Sequence, residues 1–265
     1  MIAKKWNNCK NRNNCKNKKG EVMQKQGKDY IVFPLDFSSL KEAKEYVTLL
    51  DGNVGMFKIG LELFIDQGPS IIQMVKKESD AKIFLDLKLH DISATVQRAM
   101  GRVANLGVDL VTVHCSSSMA MLERAVEGGK GKTNVLGVTL LTDNDADTVE
   151  AAGFKDEFVK DTDLLVMHRA KMAYAAGCKG VVCSGKEVQQ IKTVFGKEFL
   201  AVTPGIRPAW SLLENDDQKR VTTPGQAVAL GSDLIVIGRP IRDAQDPVRA
   251  AQNVVKEIEA ALNLS

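Results

Sequence analysis

A chain of 265 residues with 44% hydrophobic content is long enough for one sizeable core, and an α/β barrel commonly uses about this length as a single domain. Its formal charge of +3 is unevenly held, because residues 1–28 contain nine of the 36 basic and one of the 33 acidic residues, which leaves a mildly acidic remainder. No apolar run approaches the roughly 18 residues of a membrane span, and the start lacks the apolar stretch of a secretory signal, so a soluble cytoplasmic protein with no membrane partner is expected.

Residues 1–28 are rich in Asn and Lys and nearly free of apolar side chains. Such a segment cannot bury enough surface to offset its ordering entropy, which predicts a disordered basic extension ahead of a domain over 29–265. A nucleic-acid arm would need interleaved aromatics, and Trp6 stands alone, so no nucleic-acid partner is expected. Lys19-Gly20-Glu21 can be encoded by the purine-rich AAA-GGA-GAA just upstream of Met23. That arrangement resembles a bacterial ribosome-binding site, and on this reading residues 1–22 precede the natural start.

From Tyr30 onward, short β-branched or apolar runs alternate with longer stretches of helical period, the signature of repeated βα units and a parallel sheet. Strands are predicted at 30–36, 56–59, 82–88, 109–114, 135–140, 180–183, 199–203 and 234–237. Helices are predicted between them at 40–50, 68–77, 94–106, 120–128, 162–176, 186–195 and 248–262. Eight strands with intervening helices argue for a closed (β/α)8 TIM barrel. An open doubly wound sheet competes, but no G-x-G-x-x-G follows the first strand. Five cysteines at 9, 15, 115, 178 and 183 show no short paired zinc spacing, and Cys115 and Cys183 fall in apolar runs as small hydrophobes would.

In such a barrel the chemistry sits at the C-terminal ends of the strands. There the sequence places Asp36, Lys58, the run Asp86-Leu-Lys88-Leu-His-Asp91, Thr203-Pro-Gly-Ile-Arg207 and Gly238-Arg239-Pro240. Asp86 and Lys88 are two apart on one strand, so both point to one face, and Asp91 lies just beyond. Two aspartates flanking one ammonium would keep it charged and oriented for protonating a carbanion in a water-poor pocket. A structural ion-pair network would use the same residues, and the motif alone leaves both readings open. Gly238 and Arg239 offer backbone N–H groups and a guanidinium to a phosphate, where an ordinary strand-to-helix turn is the alternative. The polar run 213–220 is too long for a minimal connection and reads as a lid. His90, His114 and His168 lack close ligand spacing, and lysines at the mouth would repel a divalent cation, so no metal is expected.

The ordered set Leu35-Asp36, Phe57-Lys-Ile-Gly60, Phe84-Leu-Asp-Leu-Lys-Leu-His-Asp91, Val138-Thr-Leu-Leu-Thr142, Val202-Thr-Pro-Gly-Ile-Arg207, Asp217-Gln218 and Ile237-Gly-Arg-Pro240 resembles the orotidine 5′-phosphate decarboxylase family, of the shorter bacterial type. The resemblance runs from about Ile31 to the last helix. It implies decarboxylation of orotidine 5′-monophosphate to uridine 5′-monophosphate without metal or organic cofactor. Lys88 matches the proton donor, Asp86 the neighbour of the departing carboxylate, and Lys58 and Asp36 the link from this array to the ribose. Asp91 and Thr95 match residues that reach into a neighbouring subunit's site, which implies a homodimer. Thr142 and Pro204 match positions at the pyrimidine, and Gln218, Arg239 and the Gly238 backbone match the phosphate holders. Arg207 is counted with the substrate-binding residues. Ser93 stands where proline is common in relatives, and both suit a helix start.

Two other readings compete. Relatives sharing the D-x-K-x-x-D motif are magnesium-dependent enzymes of keto-gulonate 6-phosphate or hexulose 6-phosphate, but they carry an acidic residue at the position of Lys58. A non-catalytic phosphate sensor would more plausibly have a broken charged array, and here the array is intact.

Overall fold

The computed structural model describes residues 25–211 and 222–263. Eight parallel strands, β1 (Ile31–Pro34), β2 (Met56–Ile59), β3 (Lys82–Leu89), β4 (Leu110–His114), β5 (Asn134–Val138), β6 (Gly180–Val182), β7 (Leu200–Thr203) and β8 (Leu234–Val236), close in chain order, with β1 pairing both β2 and β8. The expected TIM barrel is the fold observed. The helices are α1 (Leu40–Leu50), α2 (Leu61–Gln67), α3 (Ser70–Glu78), α4 (Ser93–Leu106), α5 (Met119–Gly129), α6 (Ala146–Ala151), α7 (Asp156–Lys160), α8 (Thr162–Ala175), α9 (Val188–Phe195), α10 (Pro224–Ala229), α11 (Arg239–Arg242) and α12 (Pro247–Asn263). No helix among the described residues is long and apolar enough to cross a membrane.

Alternation along the strands divides the core in two. Val32, Met56, Phe84, Leu110, Leu136, Leu200, Val202 and Leu234 form one buried cluster that fills the barrel. Their strand neighbours Ile31, Phe33, Phe57, Ile83, Leu85, Val111 and Val113 belong to the larger cluster between sheet and helices. A strand apolar on both faces reads as a continuous hydrophobic run, which is why the strands were visible in the sequence. Helix starts are set by side chains that accept from orphan backbone N–H groups: Ser39 from Glu42, Ser118 from Met121 and Thr223 from Gln226. The short helices α2, α6, α7 and α10 were not expected, because five to seven residues are too few to display a helical period.

Of the segment expected to be disordered, residues 25–28 are described, and Gly27 and Lys25 make contacts with the barrel domain. Gly27 is buried at the start of a 3-10 turn (Gly27–Tyr30), donates its N–H to Glu259 Oε1 at 3.3 Å, and approaches α12 so closely that a Cβ would lie 2.9 Å from Val255. Lys25 Nζ donates to the Asp233 carbonyl at 2.6 Å and lies 3.2 Å from the centre of the Tyr30 ring. Contacts with the barrel therefore reach back as far as Lys25. Composition could not show this, since a glycine and a lysine read as polar chain while one enables close approach and the other sets its ammonium over an aromatic ring. The expectations for residues 1–24 lie outside the described residues.

The N-terminal end of the barrel carries a second fastening. Asp233 Oδ2 accepts from the Ala201 N–H at 2.8 Å and pairs with Lys192 on α9, whose ammonium also donates to the Phe199 carbonyl at 2.8 Å. Both side chains are largely buried, at 14% and 24% exposure, so removing one partner strands the other. Lys192→Met is expected to cost about 3 kcal/mol, seen as a Tm lowered by roughly 6–12 °C with kcat unchanged, as measured by calorimetry beside a steady-state assay.

Candidate active site

Two residues beyond the apolar layer, each strand presents its next inward position. On β1 to β5 these positions are Pro34, Lys58, Asp86, Thr112 and Val138. Apolar packing gives way here to charge, and the change places a polar floor at the C-terminal mouth where barrel sites lie.

Asp86 is the hub of that floor. Its Oδ2 lies 3.0 Å from Lys88 Nζ and 3.6 Å from Lys58 Nζ, and its Oδ1 accepts from Thr112 Oγ1 at 2.8 Å. Lys58 Nζ continues to Asp36 Oδ1 at 3.3 Å, just past the end of β1. Exposure rises along the chain of charges, from 13% at the Asp86 and Lys58 side chains to 29% at Lys88 and 57% at Asp36. The buried pair is thus connected to solvent at both ends. Sequence reasoning brought Asp36, Lys58, Asp86 and Lys88 together, and they meet.

The local backbone differs from a regular strand. Leu85 pairs with Val111 and Leu89 with Val113, so β3 spends four steps where β4 spends two. Within this bulge Lys88 takes a left-handed conformation, φ +49°, which costs a non-glycine residue on the order of 1–3 kcal/mol and is found mainly where function holds it. The Lys88 N–H, removed from the sheet ladder, donates to Thr112 Oγ1 at 2.9 Å. Simple alternation therefore reached the right pairing of Asp86 with Lys88 over a backbone that does not alternate simply.

Burial raises the Asp86 carboxyl, but Lys58 and Lys88, together with hydrogen bonds from Lys88 and Thr112, outweigh it and hold the group below its ordinary value. The folded state therefore binds this proton less readily than the unfolded chain. The contribution to stability is fully present above the unfolded value, near 3.9, and is lost as pH falls through the folded one. Chemical denaturation midpoints measured from pH 7 to pH 3 are expected to fall less steeply in Asp86→Asn than in the parent below about pH 4.

Beside the array, His114 ends β4 with its ring 5.7 Å from that of His90. Burial lowers its basicity, reinforced by His90, Lys88 and Arg169, so it is neutral at neutral pH. Among the described residues no three His, Cys, Asp or Glu side chains are grouped as metal ligands.

Asp91 does not join the array within its own chain. It is exposed, and its Oδ1 accepts from the Ile92 N–H at 2.6 Å. The expectation of two aspartates flanking one ammonium is thus met by Asp86 alone among the described residues. Thr95, on the first turn of α4, accepts from Arg98 Nη2 at 3.3 Å. Ser93 is the first residue of that helix, with Ile92 preceding it, as a proline there would be. A cleft of about 430 Å³ is lined by His90, Asp91, Ile92, Ser93, Ser117 and Ser118, and Ile92 is 72% exposed at its edge.

The opposite side of the mouth is built by β5, β7 and β8. Thr142 is exposed in the turn after β5, and Pro204 is half-buried after β7. Arg207 is 5% exposed; its Nη1 donates to the Ile206 carbonyl at 3.1 Å and its N–H to the Thr222 carbonyl at 3.1 Å. A parallel bridge between Ile206 and Thr222 joins the two ends of the connection that carries Gln218, which itself lies outside the described residues. Gly238 follows β8 so close to Pro34 that a Cβ would sit 2.8 Å from its Cγ, and the exposed Arg239 opens α11.

Thr112 was missed. The hydroxyl lies in the apolar run Leu110-Val-Thr-Val-His114, and the available signal was its position two residues beyond the inward Leu110.

Comparison with known proteins agrees with this geometry. Residues 29–254 match the model of the "Orotidine 5'-phosphate decarboxylase / HUMPS family". A protein of Desulfosudis oleivorans named orotidine 5′-phosphate decarboxylase is 51% identical over 242 residues, covering 91% of this chain and 97% of its own. A relative of the same name from Trichlorobacter lovleyi is 40% identical over 243 residues, covering 89% and 98%. The crystal structure of orotidine 5′-phosphate decarboxylase from Lactobacillus acidophilus superposes with a TM-score of 0.75 at 33% identity, covering 86% of this chain and 98% of that one.

Proposed function

Because the chain belongs to the orotidine 5′-phosphate decarboxylase / HUMPS family, we propose that it decarboxylates orotidine 5′-monophosphate to uridine 5′-monophosphate, the carboxy-lyase step of pyrimidine biosynthesis. The observation that carries the reading is the Lys58–Asp86–Lys88 array, with Asp86 Oδ2 at 3.6 and 3.0 Å from the two ammonium groups. The bond from pyrimidine C6 to its carboxylate breaks, carbon dioxide leaves, and the electron pair remains on C6. Lys88 delivers its proton there and is reprotonated from solvent, to which it is partly open. Asp86, ionised by its surroundings, keeps Lys88 charged and faces the departing carboxylate. An ammonium fixed where negative charge develops needs little reorganisation as the bond breaks. Lys58 and Asp36 extend the array towards the ribose, while Thr142 and Pro204 border the pyrimidine. Gln218, Arg239 and the Gly238 backbone hold the phosphate, whose binding energy then acts on the distant reacting carbon. The packing of Arg207 into the loop after β7 suits shaping that side of the site.

The chemistry assigned to these side chains requires no metal or organic cofactor. Family membership alone leaves the magnesium-dependent sugar-phosphate enzymes in view, and Lys58, a cation where those relatives carry an acid, favours the nucleotide. The deciding experiment follows the loss of orotidine 5′-monophosphate absorbance with and without a strong chelator. Conversion to uridine 5′-monophosphate that ignores the chelator is expected. No conversion, with turnover of a keto-sugar phosphate on adding magnesium, would overturn the proposal.

The working unit is a homodimer in which Asp91 and Thr95 serve the partner's site. The outward Asp91 and the exposed Ile92 beside the cleft support this arrangement. Mixing inactive Lys88→Ala and Asp91→Ala chains after joint unfolding and refolding is expected to restore about a quarter of normal activity, since half the dimers would be hybrids with one complete site each. The three described cysteines are buried free thiols, which suits a reducing cytoplasm.

A further inference from the structure

We propose that Thr112 is a positioning residue for the decarboxylation, fixing through one hydroxyl both the Asp86 carboxylate and the left-handed backbone of Lys88. The inference rests on the reaction proposed above and adds a residue to it.

A threonine hydroxyl has one proton to give and lone pairs to receive. Thr112 Oγ1 receives the Lys88 N–H at 2.9 Å and lies 2.8 Å from Asp86 Oδ1. The first contact consumes acceptor capacity and the ionised carboxylate has no proton to offer, so the hydroxyl proton must point at Asp86. Its direction is dictated by its two neighbours. The side chain has no access to solvent, and β-branching restricts its rotation.

The placement answers a problem set by the bulge. The two extra residues on β3 take the Lys88 N–H away from the ladder. A buried N–H without a partner is costly, and Thr112 supplies that partner from the inward position of the adjacent strand. It thereby ties the strained backbone of Lys88 to the carboxylate facing the Lys88 ammonium. The other charged or titratable groups around Asp86 are Lys58 on β2, Lys88 on β3, Asp36 beyond β1, and His90 and His114 alongside. All of these are charged, titratable or more exposed, whereas Thr112 is the neutral, buried contact.

The test compares Thr112→Val, which keeps the shape and removes the hydroxyl, with Thr112→Ser, which keeps the hydroxyl. Thr112→Val is expected to lower kcat by about 10- to 100-fold, as loss of a hydrogen bond to a charged group would, with KM changed little. Its acid limb of kcat moves to higher pH, because the lost donor favoured the ionised carboxylate. Thr112→Ser is expected to restore both kcat and the acid limb. Wild-type kcat and acid limb in Thr112→Val would overturn the proposal, and so would a Thr112→Ser as impaired as Thr112→Val. Should Thr112→Val not fold, Thr112→Ala is read by the same criteria. The Asp86 carboxyl is also titrated by carbon-detected NMR in substrate-free protein, where Thr112→Val is expected to raise its pKa and an unchanged titration would count against the proposal. That readout needs no substrate, so failure of the wild type to consume orotidine 5′-monophosphate would sink the assigned reaction and leave this link to be judged by itself.

Discussion

Replacing Lys88 by alanine is expected to lower kcat by roughly 10⁴-fold, the upper range for a positioned proton donor, while uridine 5′-monophosphate still binds within a few-fold of the parent by calorimetry. The separation follows from the geometry. The proposed phosphate holders lie after β8 and in the connection following β7, while Lys88 lies across the mouth on β3, so the binding contacts survive its loss. The local backbone also survives, because the left-handed bulge is held by the Thr112 hydroxyl on the Lys88 N–H rather than by the lysine side chain. Turnover within tenfold of the parent would mean that the proton comes from elsewhere.

Asp86→Asn is the second large effect. The amide keeps the size of the side chain but removes the negative charge between two ammonium groups, at 3.0 Å from one and 3.6 Å from the other. A loss in kcat of about 10²- to 10³-fold is expected, comparable to removing one preorganised electrostatic partner. The same variant separates two ways in which the carboxylate can act. If it opposes the substrate's own carboxylate, orotidine 5′-monophosphate should bind the variant more tightly, while uridine 5′-monophosphate, which lacks that group, should not. Tighter substrate binding is the expected result. Equal affinities for both nucleotides in parent and variant would assign Asp86 to holding Lys88 and nothing more.

The parts of this molecule legible in its sequence are those governed by short-range pattern. A strand buried on both faces writes itself as a run such as Ile31-Val-Phe, and a charge that ends such a run at a barrel mouth is conspicuous, as Lys58 and Asp86 are. What escaped depends on which strands lie side by side. The bulge at 85–89 is a property of the β3–β4 register, and no inspection of β3 alone could show it. Thr112 reads as an ordinary strand former until the neighbouring strand supplies a carboxylate and an orphan N–H. Asp91 follows the same rule in reverse, since nearness in sequence suggested a shared ammonium and the chain turns it outward. Gly238 was read for its backbone N–H groups, and the structure adds a steric reason, the close passage of Pro34.

The Lys192–Asp233 pair and the Lys25 contact lie at the end of the barrel opposite the charged mouth. Improving an enzyme's durability often costs activity when both properties draw on the same residues. Here they are separated by the full height of the strands. Substitutions that lengthen working life can be sought around Asp233 and Lys25, and those that alter substrate choice around the proposed site at Asp86 and Arg239, with the two sets expected to combine additively.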